Sequence, residues 1–138
     1  MEQTLTLAEI MSLDGERVAG AGVEEAAAIQ DKLSMTGKPW CAVSAWVVID
    51  VTCVPDGELA RFTLPLALYA HHVQLGDDDR LNAGEPVLTS FATGYDQRGI
   101  FETVDRIYIL LGRGFRKPVD LESVKAAQYL FDQRTLEA

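Results

Sequence analysis

The chain has 138 residues, 48% apolar and 24% charged, and its 21 acids against 12 Lys and Arg leave a formal net charge of −9. That length suits a single domain over residues 1–138 and is enough to bury roughly two-thirds of the unfolded surface. These figures exclude a disordered tail, a collagen, a coiled-coil rod and a disulfide-stapled miniprotein, and the negative charge argues against a general DNA or RNA binder.

Residues 1–37 form an acidic part expected to be helical. Thr6-Leu7-Ala8-Glu9 has capping-box spacing ahead of Ile10 and Met11, and Asp14-Gly15 would end a short first helix. After the flexible Gly20-Ala21-Gly22 break, Val23–Leu33 is rich in strong helix formers. Val23, Ala26, Ala27, Ile29 and Leu33 approximate its apolar stripe, and Glu24 and Glu25 occupy the dipole-favoured first turn. Gly37 and Pro39 mark its end. Residues 1–60 carry 10 acids and 3 bases, whereas residues 61–138 carry 11 and 9, so the acidity is concentrated at the front.

From residue 38 to 112 the period changes to 2. The odd positions Cys41, Val43, Ala45, Val47, Ile49, Val51 and Cys53 are all apolar, which reads as one long strand with a core face. Pro55-Asp56-Gly57 is a turn signal, and Leu59–Leu64 reads as a short strand closed by Pro65. Leu66–Leu75, Pro86–Thr93, Ile100–Thr103 and Arg106–Leu111 read as further strands, with Val104-Asp105 a bulge or tight bend. Short strands at such spacing point to a compact antiparallel sheet or a small, partly open barrel. A last helix over 119–133 begins at Asp120 as N-cap, with Val119 and Val124 at hydrophobic-staple spacing. Leu121, Val124, Ala127 and Phe131 are its apolar stripe. The expected fold class is α+β: N-terminal helices, sheet, C-terminal helix.

No pattern of residues specifies catalysis, a metal or a cofactor. His71 and His72 are strand neighbours that point to opposite faces, so they do not chelate one ion. Cys41 and Cys53 lie twelve steps apart, about 40 Å along a straight strand, too far for a disulfide. Both read as inert core thiols. Two unbridged cysteines, an N-terminus without signal-peptide character and the absence of a long apolar run fit a cytoplasmic protein with no membrane contact. Asp77-Asp78-Asp79 lacks calcium-loop spacing and reads as a solvated turn. Thr89-Ser90 lacks a nucleophile-elbow setting and reads as ordinary strand polarity. Gly112-Arg113-Gly114-Phe115-Arg116-Lys117 reads as a loop between the last strand and the last helix that holds three cations and two glycines. Backbone N–H groups around such glycines can cradle an anion, which makes Arg113, Arg116 and Lys117 an anion-binding candidate.

Gly37-Lys38-Pro39-Trp40-Cys41, Tyr69-Ala70-His71-His72-Val73, Gly84–Ser90, Thr103 and Tyr108-Ile109-Leu110-Leu111-Gly112 carry a further signal. Over a little more than half the chain, Lys38–Gly114 resembles short uncharacterised proteins encoded by phages and prophages of Pseudomonas-like bacteria. The resemblance implies a shared fold and a phage context. It assigns no catalytic residue.

The function these observations lead to is a small acidic, non-enzymatic interaction protein. It would dock on a host protein with a basic surface, such as a nucleic-acid-handling or defence complex. Glu9, Asp14, Glu16, Glu24, Glu25 and Asp31 are its candidate partner-binding residues. The alternatives are an enzyme with a dispersed active site and a nucleic-acid contact through the Arg113–Lys117 segment. Monomer and dimer both remain open.

Overall fold

The computed structural model describes residues 7–33, 37–59, 63–76 and 84–137. The elements run α1 (Leu7–Met11), β1 (Glu16–Ala19), α2 (Val23–Leu33), β2 (Trp40–Thr52), β3 (Leu66–Gly76), β4 (Val87–Leu88), β5 (Ala92–Tyr95), β6 (Ile100–Thr103), β7 (Ile107–Leu110), β8 (Arg113–Asp120) and α3 (Leu121–Glu137). The expected α+β class holds. The capping box at Thr6, the Asp77–Asp79 turn and residues 60–62 of the expected Leu59–Leu64 strand lie outside the described residues, and Leu59, Thr63 and Leu64 are not strand.

The sheet is open and mixed rather than wholly antiparallel. β2 is its spine. One edge pairs antiparallel with β3. The other pairs parallel with β7 over Trp40–Val43, then with β8 over Val47–Thr52. β5, β6 and β7 continue as antiparallel neighbours, β1 adds antiparallel to β8, and β4 pairs with β3. Parallel pairing requires the chain to cross over before returning, a non-local choice that strand periodicity does not encode.

At the fork in β2, Ala45 adopts φ 53°, and the alternation changes phase there. Cys41 and Val43 share a core cluster with Trp46 and Val48, not with Val47. Trp40 and Ala42 face the other side with Ala26 and Leu33 of α2. Val47, Ile49 and Val51 meet α1 and α3 there through Ile10, Leu121, Val124 and Ala127. Both faces of β2 are thus buried, one under the helices and one inside the curl of the sheet. The apolar odd positions do not form one face, because each half of the strand presents a different parity to each layer. Cys53 falls past the strand end at φ 57° and is exposed, whereas Cys41 is buried; neither is in a disulfide.

Three further expectations change. Glu16–Ala19 is a strand rather than part of a helical front, because β8 offers it a ladder. Val23 is 89% exposed, so the buried stripe of α2 is carried by Ala26 and Leu33 with Ile29 partly covered. The Pro86–Thr93 segment divides into β4 and β5 around Thr89, whose hydroxyl accepts from the Leu68 N–H (2.9 Å) and donates to the Ser90 carbonyl (2.7 Å). The C-terminal helix begins as expected: Asp120 accepts from the Ser123 N–H (3.1 Å) and hydroxyl (2.6 Å), and Val119 and Val124 share a buried cluster.

Candidate functional site

The Gly112–Lys117 segment is not a loop. Gly112 takes φ 68° to make the turn after β7, and Arg113 onward is strand, paired with β1 and β2. Ladder pairing on both edges engages the backbone N–H groups that an anion nest would need. Gly114 has a separate reason to be glycine: a Cβ there would sit 2.3 Å from the Trp46 indole.

The three cations diverge. Arg113 is exposed. Arg116 donates two 2.7 Å bonds to the Asp50 carboxylate, and its guanidinium lies 5.8 Å from the Tyr95 ring centroid. That carboxylate holds the guanidinium pKa above its ordinary value. Lys117 is buried on the helical side, where its ammonium donates to the Glu9 carbonyl (2.6 Å), the Ser12 carbonyl (2.9 Å) and the Asp14 carboxylate (2.8 Å). Helix α1 ends there, so its orphan carbonyls meet a cation, as the helix dipole favours.

The candidate acids fall into two groups. Glu9, Asp14 and Glu16 gather where the N-terminal segment crosses β8. Asp14 pairs with Lys117, whose hydrogen bond draws the Asp14 carboxyl below its ordinary pKa, and Glu16 stands opposite Arg116 in the ladder. Glu24, Glu25 and Asp31 are exposed on α2, with Glu25 3.1 Å from the Arg98 guanidinium. The structure therefore joins two sites that sequence reasoning kept apart, since Lys117 and Arg116 meet the acids they were separated from.

A concavity lies elsewhere. A cleft of about 510 Å³ opens between three segments: Val87–Phe91, the β6–β7 turn and α3. Thr103 anchors the turn; its hydroxyl accepts from the Asp105 and Arg106 N–H groups at 3.4 and 3.3 Å. Arg106 donates to the Tyr108 hydroxyl (3.3 Å), which burial pushes above the ordinary phenol pKa. From α3, the Gln128 amide donates to the Thr89 carbonyl (2.9 Å), and Asp132 completes the wall. Sequence reasoning noted the Val104-Asp105 bend and Tyr108 but did not connect them with Gln128 and Asp132. Nothing local could have, because about twenty residues separate the turn from the helix face that meets it.

His71 accepts or donates with the Tyr69 hydroxyl at 3.2 Å, while His72 is exposed. Among the described residues no cluster of three His, Cys, Asp or Glu is arranged to hold a metal, and no helix is long and apolar enough to cross a membrane. Neither the curated proteins nor the solved structures compared contain a match to this chain. Residues 19–126, from the end of β1 into α3, do match a family model described as a domain of unknown function; that span exceeds half of the chain, and the protein belongs to the DUF6957 family.

Proposed function

We propose that this protein is a non-enzymatic docking module for a host protein with a basic surface, acting in the cytoplasm in a phage or prophage setting. One observation carries the reading. Among the described side chains, the three helices expose Glu9, Glu24, Glu25, Asp31, Glu122 and Asp132 against only Lys32 and Lys125. All three helices cover the same side of the sheet, so this imbalance gives that side a negative field that would steer a cationic partner. Lys125 is paired by Glu58, and Arg98 offsets Glu25, so the excess rests chiefly on Glu9, Glu24, Asp31, Glu122 and Asp132. A nucleic-acid contact through the β8 cations has less support, because Arg116 and Lys117 are already held by protein acceptors.

The test is capture of host protein on immobilised wild type and on a Glu24→Lys/Asp31→Lys variant, at 50 and 300 mM salt, with cross-links mapped by mass spectrometry. The reading expects a specific partner cross-linked to the helical side, weakened by salt and by the variant. A partner cross-linked to the opposite side, or retained equally by the variant, overturns it.

A further inference from the structure

The edge of the sheet at β1 is open. Among the described residues β1 pairs only with β8, and no hydrogen bond reaches its outer side. The Gly20 N–H donates inward to the Gly112 carbonyl (2.6 Å). Main-chain groups alternate along an antiparallel pair, so those of Val18 and Glu16 also point inward. The N–H and C=O groups of Arg17 and Ala19 therefore point outward. These four groups are a template for one more strand.

The side chains at this edge are cationic in an acidic protein. Arg17 stands opposite Phe115 and Ala19 opposite Arg113, so all four share one face of the sheet. Both arginines are exposed, and among the described residues neither has an acid partner. By contrast, Lys38, Arg98, Arg116, Lys117 and Lys125 each pair with a carboxylate. Ala19 is the short side chain between Arg113 and the outer edge. A concavity of about 260 Å³ opens there, lined by Arg17, Val18, Ala19 and Arg113.

We infer that this edge receives an extended segment of a partner polypeptide with acidic residues at alternate positions. Its main chain pairs with the outward groups of Arg17 and Ala19. Side chains two apart on a strand share a face and stand about 7 Å from each other. One carboxylate then meets Arg17, and the next reaches Arg113 across Ala19. A small anion or a nucleic-acid phosphate would use the guanidinium groups but leave the Arg17 and Ala19 carbonyls to water. A second copy of this chain fits poorly, because pairing β1 with β1 about a two-fold axis puts both copies' Arg17 and Arg113 on one face. The inference is independent of the docking reading: it uses β1 rather than the helices, and it takes an acidic segment rather than a basic surface.

The test is titration of the ¹⁵N-labelled full chain with the capped peptide acetyl-Thr-Glu-Val-Glu-Thr-amide, followed by amide chemical shifts and amide exchange. Saturable millimolar binding is expected, with shifts centred on Arg17, Val18, Ala19 and Arg113. At saturation the Arg17 and Ala19 amides should exchange more slowly, since strand addition engages those two N–H groups. Arg17→Gln/Arg113→Gln changes only exposed side chains and should weaken binding by about three- to tenfold. The inference is overturned if no saturable shift appears, or if acetyl-Thr-Lys-Val-Lys-Thr-amide binds equally well. It is also overturned if glutarate or a short oligothymidylate saturates the same amides as tightly, or if exchange at Arg17 and Ala19 stays unchanged with peptide bound. Arginines that only guard the edge against strand addition give a different outcome: the wild type ignores the peptide, and Arg17→Gln/Arg113→Gln self-associates. That result overturns the inference as well.

Discussion

At Gly114 the backbone of β8 lies against the Trp46 indole, which is fully buried and donates from its ring N–H to the Leu111 carbonyl (3.0 Å). A methyl group has no space there, and the contacted atoms belong to a rigid ring rather than a flexible chain end. Gly114→Ala is expected to destabilise by about 1–3 kcal/mol, the usual penalty for overpacking, measured as a lower midpoint in urea with an unchanged slope. Lys117 gives a second prediction at this scale. Lys117→Met keeps the stem but leaves two α1-end carbonyls and Asp14 without their cation. A loss of about 1.5–3 kcal/mol is expected, with faster amide exchange in α1. The thiols give a third: a disulfide reagent should modify the exposed Cys53 in the native protein and reach the buried Cys41 only on unfolding.

Among the elements, α3 is the most legible in sequence, because its start depends on neighbouring residues. The Asp120 side chain caps the first turn, and its hydrogen bonds from Ser123 draw its pKa below the ordinary value. Asp120→Ala is expected to cost about 1 kcal/mol. Asp120 and Asp14 share a sign. Both are depressed in the folded state, so the unfolded chain binds more protons at acidic pH. Their contribution is complete above the ordinary carboxylate range near 4 and declines as pH falls through their lower folded values. Thermal melts from pH 6 to pH 2 should show this, and in Asp120→Asn part of that acid dependence should disappear. β8 is the least legible element. Two glycines and three cations read as a loop, and strand formation depends on what those residues meet: Trp46 over Gly114, Asp50 beside Arg116, the end of α1 around Lys117.

For the whole molecule, charge and fold act together. The net charge of −9 follows from composition, but composition does not say where it appears. Placing all three helices on one side of the sheet brings front-end acids together with Glu122 and Asp132 from the far end of the chain, which the proposed docking function reads as a negative field on that side. If this field steers association, the on-rate for a captured partner should fall as salt is raised, with Glu24→Lys/Asp31→Lys flattening that dependence. Stopped-flow mixing over a salt series measures both.

The sequence alone determined the α+β class, the extent of β2 and β3, the capped start of α3, the separation that keeps Cys41 and Cys53 from bridging, and the overall charge. Each rests on local periodicity, capping chemistry or a simple count. The tertiary structure decided the rest: the phase change at Ala45, the parallel pairing of β2 with β7 and β8, the strand character of Glu16–Ala19 and Arg113–Asp120, and the cleft. These depend on residues tens of positions apart finding one another. Arg116 reads as a free cation until Asp50 lies beside it, and Asp105 reads as a bend until α3 closes the cleft above it. Local propensity is a fraction of a kcal/mol per residue, so where it is indifferent, packing and pairing across the fold choose the outcome.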